Sequence, residues 1–159
     1  MDRLRQSLKF GAELIGTLWF LVMFGAFLIQ VFTRYVLNHP LGWTTEMCLI
    51  AFLWFAFWSG GLLTRDSDQV RFDLLYQNVS PKMRRIFAMV TTGLLGGLFL
   101  LGLPANIDFV AFMAHDVTWV MEIRFDYVFA VFVIFMVAFG ARSVYRLVRL
   151  MRPGWRDEI

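Results

Sequence analysis

Four long apolar stretches dominate this 159-residue sequence and limit what it can fold into. They run over residues 11–31, 43–63, 86–104 and 127–144, and apolar residues continue after the third stretch as far as Met113. A helix needs about 20 apolar residues to cross the roughly 30 Å of hydrocarbon in a bilayer. The pattern therefore predicts an all-α integral membrane protein, a single domain over residues 1–159 with four transmembrane helices.

Composition agrees with a membrane protein and excludes several other classes. Hydrophobic residues make up 59% of the chain, against about 45–50% apolar residues in a soluble domain. The formal net charge is only +3, and the bases concentrate between the apolar stretches, which does not indicate a nucleic-acid partner. The single cysteine, Cys48, excludes an internal disulfide and lies inside an apolar stretch, as a buried hydrophobic residue would.

The distribution of Lys and Arg predicts the orientation of the chain. Three bases precede the first span, one lies in the first loop, five in the second, one in the third and five in the tail, which accounts for all 15. Cytoplasmic segments are enriched in Lys and Arg, so we expect both termini and the second loop in the cytoplasm. The first apolar stretch exceeds the 7–15 residues of a signal-peptide core, and we therefore expect it to stay as an anchor.

Two segments are candidates for short helices on the inner membrane surface. Leu4 and Leu8 are four residues apart among charged neighbours, which suits either an amphipathic helix or a frayed basic terminus. The second loop contains an apolar face at Val70 and Leu74. It ends in Ser-Pro-Lys at residues 80–82, which predicts the start of the third helix.

The sequence contains no pattern typical of catalysis or of cofactor binding. His39 and His115 fall in outer loops without the spacing of a metal or haem site, and no phosphate-binding or nucleophile motif is present. The mid-membrane positions of the four spans carry no acid, and Glu13, about one turn into the first span, suits either pairing with Lys9 or a proton site. A transporter working alone would show polar groups or broken helices at the midplane. We therefore expect a partner subunit that is not an enzyme and binds no cofactor.

The first loop places opposite charges at the ends of adjacent spans. Arg34 ends the first span and Glu46 begins the second, with the turn-like sequence NHPLG between them. An antiparallel hairpin would bring the two to similar depth, where an ion pair loses less on desolvation than a lone charge. Tyr35 and Trp43 would flank the pair as interfacial anchors. The alternative is two independently solvated charges.

At these residues the chain resembles a known family, the small DctQ-like membrane subunit of tripartite ATP-independent periplasmic (TRAP) transporters. The stretches QVFTRYVLNHPLGWTTEM and FLWFAFWSGGLLTRDSDQVRFDLL carry the resemblance. The family pattern matches Arg34, Tyr35, Asn38, Pro40, Trp43, Glu46, Trp54, Gly60 or Gly61, and Asp73. The chain departs from the family at Gln69, where a histidine is common, and in lacking a proline near the start of the last span.

The resemblance implies a function in the bacterial inner membrane. Such a subunit joins a large permease subunit that holds the sodium and substrate sites, while a periplasmic binding protein delivers an organic acid. The small subunit is expected to scaffold the large one and to help dock the binding protein, with lipid as its other surrounding.

Small residues and acids mark two further candidate surfaces. Ala56 with Gly60, and Gly93 with Gly97, are four residues apart and are candidates for close helix packing in lipid. Acids outnumber bases around the third loop, which has a formal charge of −3 and is a candidate for binding-protein docking; the acids are Asp108, Asp116, Glu122 and Asp126.

Two other functions remain open at the level of sequence. One is a self-contained four-span exporter in which Glu13 is the proton-coupled acid. The other is a structural anchor subunit of a different membrane complex.

Overall fold

The fold consists of four long helices joined by short connections. The computed structural model describes residues 2–64 and 80–152. The helices are α1 (Asp2–Tyr35), α2 (Gly42–Trp58), α3 (Pro81–Phe112) and α4 (Phe125–Met151). A π-helical turn, Ser59–Leu63, continues α2, and a 3-10 turn, Met113–His115, follows α3. All four helical segments are long and apolar enough to cross a membrane, which confirms the predicted fold class.

Helix α1 begins earlier than the apolar stretch does. It runs without a break from Asp2, so its basic N-terminal residues are neither a separate interfacial helix nor a frayed terminus. It ends where Asn38 adopts a left-handed backbone with a φ of 50°, a conformation that Asn tolerates better than most residues. This turn lets the His39 N–H donate to the Thr33 carbonyl at 2.9 Å, and it gives a physical reason for an asparagine at position 38.

Helix α3 starts and extends as the sequence predicts. Pro81 occupies its first turn and Ser80 is its N-cap residue, although the Ser80 side chain makes no capping hydrogen bond. The helix continues through Pro104 to Phe112. In the turn around the proline, the Asn106 side chain donates to the Gly102 carbonyl at 2.8 Å. This bond does not replace the one lost at Pro104, whose missing N–H would have bonded the Leu100 carbonyl.

The helices pack as an open layer in the order α1, α2, α4, α3. Extensive contacts join α1 to α2, α2 to α4 and α4 to α3, and no comparable packing joins α1 to α3 in the described part of the chain. Helix α4 is the most buried of the four and supplies Val128, Val131, Met136 and Leu150 to the small core. Most large apolar side chains on both faces of the layer are therefore left for lipid or for another protein to cover.

Close packing between α3 and α4 occurs at a different glycine from the two predicted. A Cβ at Gly96 would lie 2.5 Å from the Cβ of Ser143, whereas a Cβ at Gly97 would meet nothing within 4 Å and one at Gly93 only the tip of Leu147 at 3.9 Å. Only Gly96 is fully buried of the three glycines. Gly97 is rotated away from α4 and takes no part in this contact, so its packing role stays a prediction.

Of the small residues in α2 and its π-helical turn, some contact α4 and one does not. Gly60 and Gly61 both face Phe135 of α4, and a Cβ at Gly61 would lie 3.3 Å from the Phe135 backbone. Ala56 is exposed, so it makes no close helix contact within the chain, and its predicted packing role stays a prediction. The interfacial segment predicted around Val70, together with Gln69 and Asp73, lies outside the described residues.

Candidate assembly site at the two ends of α2

A carboxylate from α2 binds the loop between α3 and α4 at one end of the layer. We name this end the outer end, after the orientation that the charge distribution predicts. The Val120 N–H donates to Oε1 of Glu46 at 2.8 Å, and the Met121 N–H donates to Oε2 at 2.9 Å. Two successive backbone N–H groups form a favourable cradle for an anion. We name this contact between Glu46 and the loop the outer clasp.

The loop that Glu46 holds is a small hairpin built by its own hydrogen bonds. The Thr118 N–H donates to the Ile123 carbonyl at 2.9 Å, and the Phe125 N–H donates to the Asp116 carbonyl at 3.0 Å. The buried Thr118 hydroxyl accepts from the Ile123 N–H at 3.1 Å. Glu122 has a positive φ of 52°, a strained backbone that the surrounding bonds must hold. We refer to residues 116–125 as the outer hairpin.

The tip of the outer hairpin packs on the start of α2 on one side and is open on the other. A Cβ at Gly42 would lie 3.1 Å from a methyl of Val120, so the absence of a side chain at Gly42 permits this approach. Trp119, next to Val120, is 95% exposed. The indole ring of Trp119 is therefore exposed, while hydrogen bonds to Glu46 hold the backbone of the next two residues.

Arg34 takes no part in the outer clasp, which corrects the predicted ion pair. The carboxylate of Glu46 is occupied by the two backbone N–H groups of the outer hairpin, and no ion pair joins it to Arg34 among the described residues. Arg34 is exposed on the last turn of α1, and Tyr35 beside it is 74% exposed. The expected juxtaposition fails because α1 continues to Tyr35 and turns Arg34 away from α2.

A hydrogen bond between two neutral side chains, not the predicted ion pair, joins α1 to α2 near the outer end. Thr44, which is fully buried near the start of α2, donates from its hydroxyl to the side-chain oxygen of Gln30 on α1. The same hydroxyl lies 2.6 Å from the Leu41 carbonyl. Buried polar groups must find such partners in lipid, so this pair fixes the register of α1 against α2 close to the outer end.

The opposite end of α2 is held by an arginine from α4. Arg142 donates from Nη1 to the Thr64 carbonyl at 2.6 Å and from Nη2 to the Gly61 carbonyl. Both carbonyls belong to the π-helical turn and to the residue after it, where the last groups of a helix have no partner within the helix. A cation also suits the negative end of the helix dipole. We name this contact the inner clasp.

The two clasps are reciprocal. Glu46, from the α1–α2 hairpin, binds backbone N–H groups of the other helical hairpin, while Arg142, from α4, binds backbone carbonyls of the first. Hydrogen bonds to charged groups are stronger than those between neutral groups, and the packing of α1 with α2 and of α3 with α4 is more extensive than the packing between the two hairpins. We conclude that the clasps set how the two helical hairpins are aligned.

Tryptophans secure the inner half of the α1–α2 hairpin. The Trp58 indole N–H donates to the Ala12 carbonyl at 3.0 Å. Trp54, a residue of the family motif, stacks on Trp19 with ring centroids 5.1 Å apart. Trp54 therefore has a packing role between these two helices.

The acidic residues predicted for docking do not share one environment. Asp116 and Glu122 are exposed on the outer hairpin, whereas Asp108 is exposed on α3. Asp126 lies in the first turn of α4 and pairs with Arg124 at 2.6 Å. The exposed acidic surface of the loop therefore consists of Asp116 and Glu122.

The described residues include no cluster that resembles a metal site. Over residues 2–64 and 80–152, no group of three or more His, Cys, Asp or Glu side chains lies close enough to hold an ion. Lys9 and Glu13 form an ion pair of 3.4 Å on the exposed surface of α1, which is the pairing predicted for Glu13.

A comparison with known protein families decides the identity of the chain. The family model of the tripartite ATP-independent periplasmic transporters, DctQ component, matches residues 3–153. The chain belongs to the DctQ family. No curated protein matches the sequence. A DctQ chain is the small membrane subunit of a TRAP transporter, and the family is a transporter family, not an enzyme family.

The main elements of this DctQ site that sequence reasoning missed are Arg142 and Trp119. Arg142 was counted only as one of the five bases of the tail, although it interrupts the apolar face of the last span well before Met151. Trp119 is the single aromatic residue between His115 and Phe125. An isolated tryptophan in a charged loop was a signal that could have marked it.

Proposed function

We propose that this DctQ chain is the small permease subunit of a TRAP transporter that scaffolds the large membrane subunit during ion-coupled uptake of an organic acid. The observation that carries the proposal is the open layer. Four helices with apolar faces on both sides form a wide, thin support, and close helix packing in lipid could join one of these faces to a larger membrane subunit. We place the chain in the bacterial inner membrane as a single domain.

In this proposal the large subunit binds the substrate and the sodium ion, and this chain binds neither. Acids and bases are absent from the central part of each span, and intramembrane charges usually mark ion or substrate pathways. The proposal therefore gives this chain no cofactor and no coupling ion. Its partners are the large permease subunit, a periplasmic binding protein and the bilayer, with no nucleic acid.

The competing exporter and anchor functions have less support. An exporter would need Glu13 as an accessible proton site, but its carboxylate pairs with Lys9 on an exposed surface. An anchor subunit of another complex would not account for the family match over residues 3–153. Reconstitution distinguishes the three: we expect uptake only when this chain, the large subunit and the binding protein are present together. Transport by this chain alone would support the exporter.

We further propose that the outer hairpin helps to dock the binding protein. Its exposed acids, Asp116 and Glu122, would attract a partner with basic residues on its contacting face, and complementary charge raises the rate of encounter. Trp119 between them would supply the apolar contact typical of binding hot spots. This proposal requires the outer hairpin to face the periplasm, which labelling of an Asp116→Cys variant from outside the cell would test.

Charge reversal provides the test of docking. We expect Asp116→Lys with Glu122→Lys to leave assembly with the large subunit intact and to slow uptake at limiting binding-protein concentration. The defect should shrink as salt screens charges over about 8–10 Å. The matched pair Asp116→Asn with Glu122→Gln, which removes charge without reversing it, should show a smaller defect. Uptake that stays at the wild-type level at every salt and binding-protein concentration would leave the hairpin as passive surface.

A further inference from the structure

The charged residues in the spanning part of α1 all lie along one side of the helix. Between positions 9 and 35 they are Lys9, Glu13 and Arg34. Residues three or four positions apart are neighbours on a helix surface, and the positions 9, 13, 17, 20, 24, 27, 31 and 34 follow this spacing. Three of them hold exposed phenylalanines, which are Phe20, Phe24 and Phe27. We name this side of α1 the aromatic stripe.

The opposite side of α1 is aliphatic and carries no charge. Its exposed side chains include Leu14, Leu18, Val22 and Ile29. Lipid tails are as apolar as leucine, so lipid covers such a surface without a protein partner. Aromatic residues and arginine are instead enriched where proteins contact each other. The two sides of α1 therefore suit different neighbours, which are lipid on the aliphatic side and protein on the aromatic stripe.

Helix α2 widens the aromatic stripe. The ring of Phe55 packs against the ring of Phe20, with centroids 5.5 Å apart. Phe52, almost one turn earlier on α2, is 52% exposed. Aromatic side chains of two neighbouring helices thus form one surface on the α1–α2 hairpin. We name this surface, which consists of Phe20, Phe24, Phe27, Phe52 and Phe55, the aromatic face.

Arg34 lies at the outer end of the aromatic stripe and lacks an acidic partner in the described part of the chain. Lys9 and Glu13, at the inner end, pair with each other at 3.4 Å. Arg34 is exposed and forms no ion pair with any residue of the ranges 2–64 and 80–152. An arginine at the outer end also runs against the usual enrichment of bases on the cytoplasmic side. Its charge would be complemented by a carboxylate from another protein.

We propose that the aromatic face and Arg34 together bind the large permease subunit. The occupant is a spanning helix of that subunit that carries an Asp or Glu at the level of Arg34. Its carboxylate accepts hydrogen bonds from the guanidinium, and its apolar side chains pack on the phenylalanines. A bidentate arginine–carboxylate contact adds geometric specificity, which apolar packing in lipid does not supply by itself. This inference rests on the proposed function, because it states which face of the scaffold holds the large subunit.

Site-specific photo-cross-linking tests the location of the interface in the assembled complex. Positions 27 and 18 are nine residues apart, which places them on opposite sides of α1, and Phe27 and Leu18 are 51% and 53% exposed. With p-benzoylphenylalanine at position 27, we expect a covalent link to the large subunit in membranes that contain both subunits. The same group at position 18 should give no such link. A link from position 18 and not from position 27, or equal links from both, would overturn the proposal.

Affinity measurements test the role of Arg34. In titrations of the purified chain with the large subunit in detergent, Arg34→Gln should weaken binding about tenfold or more. Arg34→Lys keeps the charge without the guanidinium fork and should fall between Arg34→Gln and wild type. The thermal midpoint of the chain alone should stay at the wild-type value in both variants. If Arg34→Gln binds as tightly as wild type, no carboxylate of the large subunit pairs with Arg34 and its guanidinium contacts only lipid or water.

A matched pair of alanine variants separates failure of this inference from failure of the proposed function. Phe27→Ala should weaken binding of the large subunit, whereas Leu18→Ala should stay within about twofold of wild type, as for a residue outside an interface. Equal effects of the two variants on a complex that does form would overturn the aromatic face and leave the scaffold function standing. A wild-type chain that does not bind the large subunit at all would overturn both.

Discussion

At the scale of single residues, Glu46 and Arg142 are the charged side chains that link the two helical hairpins. Each is a charged side chain inside or beside a spanning helix, and each binds two backbone groups of the other helical hairpin. Backbone partners do not depend on a second side chain. Such a contact is therefore sensitive to changes in the charged residue and insensitive to most changes in the loop that it binds.

A double-mutant cycle tests the partner of Glu46. We expect Glu46→Ala to lower the free energy of unfolding, because two charge-assisted hydrogen bonds to the outer hairpin are lost. Arg34→Ala should change it by about 0.5 kcal/mol or less, as for a surface substitution. Since the two side chains do not interact, the double variant should show additive losses. A coupling energy well above about 0.5 kcal/mol would show that Arg34 and Glu46 do form an ion pair.

The inner clasp makes a separate prediction about Arg142. Arg142→Gln should lower the thermal midpoint measured in detergent, because the carbonyls of Gly61 and Thr64 lose a bidentate cation. Arg142→Lys keeps the charge without the fork of the guanidinium and should fall between Arg142→Gln and wild type. Arg146→Gln, one turn further along α4, is the control and should stay near wild type in detergent. If Arg142→Gln has the same thermal midpoint as this control, the inner clasp does not contribute to stability.

At the scale of elements, the helices differ in how far the sequence could predict them. The number of spans and the passage of α3 beyond Pro104 follow from hydropathy, because a bilayer demands long apolar helices with every backbone group paired. Which face of a helix packs does not follow from hydropathy when both faces are apolar. Gly93, Gly96 and Gly97 all fit a helical repeat, and only the fold distinguishes them.

A pair of valine substitutions tests the packing face of α3. Gly96→Val should destabilise the contact with α4 by about 1–3 kcal/mol, because the new side chain would overlap Ser143. Gly97→Val adds the same side chain at a position with open space around it. We expect it to leave the free energy of unfolding within about 0.5 kcal/mol of wild type. Equal effects of the two variants would contradict the observed rotation of α3.

The candidate site is less predictable than the helices, because the sequence does not show which groups meet in the fold. The sequence predicts Glu46 as one half of an ion pair with Arg34, but its partners are the backbone N–H groups of Val120 and Met121. Every residue except proline possesses such a group, and no sequence motif marks it. The sequence marks Asn38 as part of the turn-like NHPLG, without predicting which backbone conformation it takes. Its left-handed backbone supplies the physical reason for an asparagine at this position.

At the scale of the whole molecule, two helical hairpins form one open layer. Contacts within each hairpin are more extensive than contacts between them, so the clasps at the two ends of α2 determine whether the layer is a single unit. The scaffold that we propose for the large subunit must keep its own shape when it binds that subunit. The joining of the two hairpins is therefore the feature of this structure on which the proposed function depends most.

A disulfide cross-link at the outer end tests this joining directly. A Cβ at Gly42 would lie 3.9 Å from the Cβ of Val120, within the roughly 3.5–4.5 Å range that a disulfide requires. In a Cys48→Ser background, Gly42→Cys with Val120→Cys should form a disulfide readily in the membrane, and adding Glu46→Ala should slow its formation. Gly25→Cys with Val120→Cys is the control, because Gly25 has open space around it. Absence of the link between positions 42 and 120, or equal linking in the control, would contradict the arrangement of the two hairpins.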